Sequence, residues 1–215
     1  MKACMMDMDG TLLDTMPFWK QVEREVFARY GVQQVPHAMQ NRLCMLHDPD
    51  WVCTATGQEK EFLWDAIADE MEEHYRRSVQ PKPGAAGFLR TLRAQGIPCW
   101  LVTASRLNYA EAALHNTGLY SGFDRVMTTR GLAFRKENPA FFTWLAGEMA
   151  IEPENLCVVE DSLGIVRAAK EAGCLVLGID DPIHDTGDAM RGLCDVFTAD
   201  FSALASLPPA RWQRR

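Results

Sequence analysis

Short apolar runs alternate with amphipathic segments through most of the chain, and this alternation limits the folds that the chain can adopt. From Pro98 onward the strand-like runs are PCWLVTAS, FDRVMTT, NLCVVED, CLVLGID and DVFTAD. The segments between the first four carry helical patterns: RLNYAEAALHNTG, NPAFFTWLAGEMA and SLGIVRAAKEAG. Continuous apolar strands separated by helices are typical of a parallel sheet covered on both faces. With KACMM as the first strand, the sequence predicts a doubly wound, Rossmann-like α/β core.

Residues 15–80 interrupt this alternation, because they contain helical patterns and no convincing strand. Apolar residues recur at helical spacing in two stretches of this segment: Phe18, Trp19, Val22, Val26 and Phe27, and then Phe62, Leu63, Ala66, Ile67 and Met71. The turn-rich stretches DTMP and SVQPKPG bound the segment. We therefore predict an α/β core domain over 1–14 and 81–215, with a small α-helical cap domain inserted at 15–80.

Charge and composition exclude several classes of protein. The 215 residues carry a formal net charge of −7, whereas nucleic-acid binders usually present a basic face. The seven cysteines are odd in number and form no CxxC or Cys/His cluster, which favours a reducing cytoplasm. The sequence shows no signal peptide and no apolar run of the roughly 20 residues that a membrane span needs. We expect a cytoplasmic enzyme with neither a nucleic-acid nor a membrane partner; its oligomeric state stays open.

Reactive side chains follow three of the predicted strands. Asp7 and Asp9 end the first strand, Thr103 and Ser105 end the second, Glu160 and Asp161 end the fourth, and Lys136 stands before the helix that leads into that strand. Taken singly, each has a structural explanation: an Asx turn for the aspartates, helix capping for the hydroxyls and a solvated charge for the lysine. Together they would meet at one edge of the sheet, where open α/β folds bind ligands.

The expected chemistry follows from these residue types. Converging carboxylates repel one another unless a cation joins them, and hard oxygen ligands suit Mg²⁺. A lysine, a hydroxyl and helix N-terminal amides would bind an anion beside that metal. A carboxylate that is left over can attack phosphorus, which would give a covalent aspartyl-phosphate. The residues therefore indicate phosphoryl transfer.

The same residues carry a family resemblance. DMDGTLLD, LVTAS, Lys136 followed by Pro139, and VVEDSLG resemble the four motifs of the haloacid dehalogenase superfamily, whose helical cap also follows the first motif. The resemblance implies that Asp7 is the nucleophile and Asp9 the general acid and base, and that Thr103 and Lys136 bind the phosphoryl oxygens. It also implies Mg²⁺ ligands: Asp7, the backbone carbonyl of Asp9, Asp161, and Glu160 directly or through water.

Several alternatives remain at this point. An acid at position 9 argues against carbon–halogen cleavage, and Lys20 and Lys60 fit surface positions better than the imine-forming lysine of phosphonate-cleaving relatives. A sugar-phosphate mutase of the β-phosphoglucomutase kind would share every motif. A phosphorylatable regulatory or binding module, similar to a receiver domain, would lack Asp9 and the cap. The sequence thus favours a Mg²⁺-dependent phosphatase of a small organic phosphate monoester.

Other polar residues receive structural interpretations. In the predicted cap, Arg42, His47, Asp48 and Trp51 lie where they could reach a substrate, but each fits a structural or exposed position better. Asp14 is expected in the hinge, and Asp180 and Asp181 in a turn after the fifth strand. Ser105 is expected at a helix N-cap, with phosphate binding as the alternative.

Overall fold

The computed structural model describes residues 1–40, 42–184 and 186–205. Within these ranges, six parallel strands form one sheet in the order β3-β2-β1-β4-β5-β6. The strands are β1 (Ala3–Met6), β2 (Cys99–Thr103), β3 (Arg125–Thr128), β4 (Leu156–Glu160), β5 (Leu175–Ile179) and β6 (Val196–Thr198). The predicted α/β fold is confirmed. The last ten residues of the predicted core domain, 206–215, lie outside the described residues.

The strand order places β1 at the centre of the sheet, between β2 and β4. In register, Cys4 of β1 lies beside Cys99 on one side and Cys157 on the other. The chain runs outward to β3 on one side of β1 and to β6 on the other, so the order reverses between β1 and β4. Ligand sites of doubly wound sheets lie at this switch point, at the carboxyl ends of the strands. Asp7 and Glu160 lie there.

Helices cover both faces of the sheet because successive side chains of a strand point to opposite faces. Cys4 and Met6 of β1 belong to one apolar cluster, and Ala3 and Met5 belong to the other. The first cluster is covered by α5 (Ala85–Ala94), α6 (Leu107–Asn116) and α10 (Ser202–Ala205). The second is covered by α7 (Pro139–Glu148), α8 (Leu163–Glu171) and α9 (Gly187–Leu193).

The residues at the N-cap positions of α7, α8 and α6 differ in whether their side chains cap the helix. Asn138 caps α7, since its side chain accepts a hydrogen bond from the Ala140 amide at 3.0 Å. Ser162 occupies the N-cap position of α8, but its side chain makes no capping hydrogen bond. Ser105 is not the N-cap of α6; Arg106 occupies that position. The expected N-cap role of Ser105 is therefore wrong, because its hydroxyl is used elsewhere.

The segment between β1 and α5 is helical, as the apolar spacing predicts. Its helices are α1 (Met16–Arg29), α2 (Cys44–His47), α3 (Pro49–Thr56) and α4 (Lys60–Arg77). Val22 and Val26 of α1 are buried in the same apolar cluster as Ile67 and Met71 of α4. Phe62, in contrast, is 49% exposed and packs edge-on against Tyr30.

The two ends of this helical segment run side by side. Leu13 pairs with Pro81 in an antiparallel bridge, and the Asp14 amide donates to the Gln80 carbonyl at 2.9 Å. The exposed Asp14 therefore lies where the predicted hinge would be.

Neither a disulfide bond nor a membrane-spanning helix contributes to the described part of the fold. All seven cysteines lie within the described ranges and are free; Cys4, Cys99, Cys157 and Cys174 are buried in or beside strands. No helix in the described part of the chain combines the length and apolarity needed to cross a membrane.

Candidate active site

The chain turns sharply after β1, and this turn carries both aspartates of the first motif. The Asp7 amide still extends the sheet by donating to the Val159 carbonyl at 3.0 Å. The turn then closes through a hydrogen bond from the Leu13 amide to the Met8 carbonyl at 2.9 Å. Met8 is fully buried in the apolar core, whereas Asp7 and Asp9 make polar contacts. Met8 therefore faces away from the polar site.

Three of the predicted metal ligands converge at the carboxyl ends of β1 and β4. Oxygen atoms of Asp7, Glu160 and Asp161 lie within 4.8 Å of one another, and all three residues are buried. Lys136 reaches this group from the loop before α7. Its ammonium donates to Asp7, to Glu160 at 3.0 Å, and to the Val102 carbonyl at 3.5 Å.

The pKa shifts of this group reflect the burial of several carboxylates beside one lysine. Burial and the nearby Glu160 charge raise the pKa of Asp7 well above its ordinary value, despite Lys136. Burial also raises the pKa of Glu160 to about 7 against the opposing charge of Lys136. Burial by itself would lower the pKa of Lys136, but the charges of Asp7 and Glu160 outweigh it and raise this pKa. A single lysine thus compensates only part of the carboxylate charge.

Asp161 has two partners that the sequence analysis did not identify. The Thr11 hydroxyl donates to one of its oxygens, and His184 Nε2 lies 3.0 Å from the other. Burial would raise the pKa of Asp161, but the hydrogen bond and charge of His184 outweigh burial and lower it. Thr11 belongs to the quoted first motif. His184 follows β5 in the turn around Asp181, where only its position at the sheet edge could have signalled a role.

These residues fit a divalent cation. Three buried carboxylates with hard oxygen donors match the preference of Mg²⁺, and the raised pKa values of Asp7 and Glu160 reflect first their burial and then the charge of neighbouring carboxylates, which a cation would offset. Lys136 contacts Asp7 and Glu160, while the carboxylate of Asp161 has Thr11 and His184 as its hydrogen-bond partners among the described residues.

Asp9 points to a different set of partners. One of its oxygens accepts a hydrogen bond from the Tyr75 hydroxyl at 2.7 Å, and the other accepts one from the Ser105 hydroxyl at 2.6 Å. Trp19 Nε1 donates to the Tyr75 hydroxyl at 3.0 Å. Burial raises the pKa of Asp9, although the hydrogen bonds from Ser105 and Tyr75 oppose this shift. Trp19 and Tyr75 belong to the inserted helices, and their apolar spacing gave no sign of this contact.

Thr103 ends β2 at the same edge and is buried. Its hydroxyl oxygen accepts a hydrogen bond from the Ser105 amide at 3.0 Å. This bond holds the turn after β2 and so helps to place the Ser105 side chain near Asp9.

The other polar candidates have structural contacts. Asp48 caps α3 by accepting a hydrogen bond from the Trp51 amide at 3.0 Å. Asp181 is buried and pairs with Lys82 at 3.2 Å, which ties β5 to the chain as it returns from the inserted helices. Arg42 and His47 are exposed. The partial burial of the His47 ring, and then the positive charges of Arg42 and His184, lower the pKa of His47.

Comparison with known proteins identifies the family. The family model for haloacid dehalogenase-like hydrolases matches residues 1–173. The chain belongs to this family. The match includes every residue that the sequence analysis assigned to the site.

Relatives of this haloacid dehalogenase-like hydrolase include several phosphatases. Fructose-1-phosphate phosphatase YqaB of Escherichia coli K12 is 32% identical over 174 residues, which cover 78% of this chain and 90% of that protein. Hexitol phosphatase B of the same strain is 25% identical over 177 residues, covering 79% of each. This chain is accordingly a phosphohydrolase.

A solved structure confirms the fold. CbbY of Rhodobacter sphaeroides, a mutant solved with xylulose-1,5-bisphosphate, superposes with a TM-score of 0.76. The match covers 94% of this chain and 96% of CbbY at 20% sequence identity.

Proposed function

We propose that this hydrolase is a Mg²⁺-dependent phosphatase that cleaves a small organic phosphate monoester through a phosphorylated Asp7. The observation that carries the proposal is the division of the two aspartates. Asp7 lies among buried carboxylates and Lys136, whereas Asp9 lies apart from them in a network of hydroxyl groups. This division supports nucleophilic attack by one carboxylate and proton transfer by the other.

Asp7, Glu160, Asp161 and the backbone carbonyl of Asp9 would hold Mg²⁺, which would offset the combined negative charge of the carboxylates and the substrate phosphate. Lys136 would bind a phosphoryl oxygen while it compensates the charge of Asp7, and Thr103 would bind another phosphoryl oxygen. These roles are supported by the buried positions of Lys136 and Thr103 at the same sheet edge.

The proposed reaction has two steps. In the first, an Asp7 oxygen forms a bond to phosphorus and the bond from phosphorus to the leaving oxygen breaks. The leaving oxygen keeps the electron pair and takes a proton from Asp9. In the second, water attacks phosphorus, Asp9 accepts its proton, and the bond to Asp7 breaks to release inorganic phosphate.

We propose that residues 15–80 act as a cap over this site and contact the leaving group. Tyr75 of α4 reaches Asp9, which supports this placement because a leaving group protonated by Asp9 would lie beside the same helix. Two relatives are named for fructose 1-phosphate and hexitol phosphates. Sugar and sugar-alcohol phosphates are therefore the first substrates to test.

The experiment measures inorganic phosphate released from sugar, nucleotide and small-acid phosphates, with Mg²⁺ or with a chelator. We expect Mg²⁺-dependent release by the parent, and none detectable from Asp7→Asn, which keeps the size of the side chain but removes the nucleophile. Asp50→Asn, at an exposed position on α3, is the control and should match the parent.

Hydrolysis that persists in Asp7→Asn would contradict the mechanism. Isomerisation of a sugar phosphate without phosphate release would instead indicate a phosphomutase.

A further inference from the structure

A buried tyrosine from the inserted helices contacts the carboxyl group of Asp9. Tyr75 is fully buried on α4, and its hydroxyl donates to one oxygen of Asp9 at 2.7 Å. Its ring is held by stacking on Tyr109, with 5.7 Å between ring centroids, and by an edge-on contact with Trp19. This hydroxyl belongs to none of the four sequence motifs, yet it occupies a position beside the proposed acid and base.

Tyr75, Ser105 and Asp9 form a closed ring of polar contacts. The Ser105 hydroxyl donates to the second oxygen of Asp9 at 2.6 Å and lies 3.3 Å from the Tyr75 hydroxyl. Each hydroxyl can donate one hydrogen bond and accept others. Both oxygens of Asp9 are therefore held, one from the core domain and one from the inserted helices.

This ring accommodates either protonation form of Asp9. When Asp9 is ionised, both hydroxyls donate to it. When Asp9 is protonated, its O–H can donate to the Tyr75 oxygen while the Tyr75 hydrogen turns toward Ser105. Trp19 Nε1 can donate to the Tyr75 oxygen in both arrangements. The carboxyl group therefore keeps its partners, and so its orientation, before and after it gives up a proton.

We propose that Tyr75, together with Ser105, is a positioning residue that orients Asp9 for proton transfer to the leaving oxygen. The inference rests on the proposed function. Tyr75 reaches Asp9 only while α4 lies against the core domain as it does here, so full acid–base competence requires the inserted helices in this position. Seating of the helices over a substrate would then complete the proton-transfer site.

The consequence depends on the leaving group. The alkoxide of an alkyl phosphate is a poor leaving group, so it needs a proton from Asp9 as the bond to phosphorus breaks. Nitrophenolate leaves without a proton. Loss of the Tyr75 hydroxyl should therefore impair cleavage of an alkyl phosphate far more than cleavage of p-nitrophenyl phosphate, and a purely structural role would impair both alike.

The test compares the parent with Tyr75→Phe in single-turnover assays of alcohol or nitrophenol release. For the best alkyl phosphate we expect the rate of Tyr75→Phe to fall about 10-fold or more, since a positioned general acid contributes typically 10²–10⁴-fold. For p-nitrophenyl phosphate we expect a loss of less than about 3-fold, because no proton is needed. Tyr109→Phe is the matched control: it removes a hydroxyl from the stacked neighbour, which bonds to Arg106 at 2.7 Å. Its ratio of the two rates should equal that of the parent.

A second comparison guards against misfolding. If Tyr75→Phe does not fold, as judged by circular dichroism, Ser105→Ala tests the same ring at the other oxygen and should show the same selective loss. In an Asp9→Asn background, Tyr75→Phe should cause no further selective loss, because the group that it positions is gone.

If Tyr75→Phe slows both substrates by the same factor, or slows neither, the ratio of the two rates is unchanged. Either result would overturn this inference while leaving the phosphatase proposal intact. A parent that cleaves neither substrate overturns both.

Discussion

Gly10 shows at the scale of one residue how the turn after β1 serves the site. Its φ of +78° is a left-handed conformation that costs an L-residue about 1–2 kcal/mol. A Cβ atom at this position would also lie 2.5 Å from Asp161 Oδ2 and 3.1 Å from Met16 Cγ. Glycine is therefore needed both for the backbone conformation and for the close approach of a proposed metal ligand.

Gly10→Ala should reduce both stability and activity. We expect the free energy of unfolding to fall by more than about 1 kcal/mol from backbone strain. The rate of phosphate release should fall by a larger factor than the loss of stability explains, and it should depend less on Mg²⁺, because the methyl group displaces Asp161. Urea unfolding and Mg²⁺ titration of activity measure the two effects.

Gly118→Ala is the matched control for Gly10→Ala. Gly118 has a φ of +70°, but apart from Gly118 itself and its two chain neighbours no described atom lies within 4 Å of the position that its Cβ would take. This variant should lose a similar stability from strain and keep the parent's activity. Similar activities in the two variants would argue against the steric explanation.

At the scale of elements, ionic contacts join α4 to the start of α6. Arg106 contacts Asp69 at 2.5 Å and Asp65 at 2.6 Å, two residues on successive turns of α4. The carboxylates are 66% and 63% exposed, so water and salt screen their attraction to Arg106. These contacts join α4 to the segment that follows β2, close to Ser105.

Arg106→Gln should therefore cost little stability, and the cost should depend on salt. We expect a loss of about 1 kcal/mol or less at low ionic strength, which shrinks in high salt. Hydrogen exchange should increase in α4, because the contact between α4 and α6 is weakened. Arg77→Gln is the control, since its partner Glu73 lies on the same helix. Increased exchange in both variants would show that the effect is local to α4.

The helices between β1 and α5 show how much the apolar spacing of the sequence could predict. Apolar spacing correctly gave α1 and α4, because a stripe at helical period must be buried against another element. The pattern could not show that polar atoms at the ends of Trp19 and Tyr75 reach Asp9, since both side chains also fit an apolar stripe. The cap boundaries at 15 and 80 stay a prediction.

At the scale of the whole molecule, the buried carboxylates make stability depend on pH. Burial raises the pKa of Glu160 from 4.5 to about 7. The folded state then binds more protons than the unfolded state. The contribution of Glu160 to the free energy of unfolding is therefore fully present below pH 4.5 and is lost as the pH rises to about 7. Asp7, whose pKa is also raised, adds to this trend.

In chelator, the free energy of unfolding should fall between about pH 4.5 and about 7, by up to about 1.4 kcal/mol per pH unit for each proton. Mg²⁺ should reverse the slope, because it binds ionised carboxylates. Urea unfolding across this range measures both trends. Glu160→Gln should flatten the slope in chelator, and an unchanged slope would exclude Glu160 as its cause.

The sequence by itself determined the sheet and the edge at which the reactive residues meet. Apolar runs alternating with helices specify parallel strands, and parallel strands bring their carboxyl ends together. Asp7 therefore meets Glu160 and Asp161 although it is far from them in the chain, and the motif around Lys136 adds a positive charge. The family resemblance implied the roles that are proposed for these residues.

Only the tertiary structure decided the partners that surround these residues. Tyr75 lies 66 positions from Asp9 along the chain and Ser105 lies 96, and His184 reaches Asp161 from the turn after β5. Such contacts depend on how helices and loops pack over the sheet edge. Hydrophobic periodicity records which face of an element is buried, but it does not record which polar atom that face carries to a distant carboxylate.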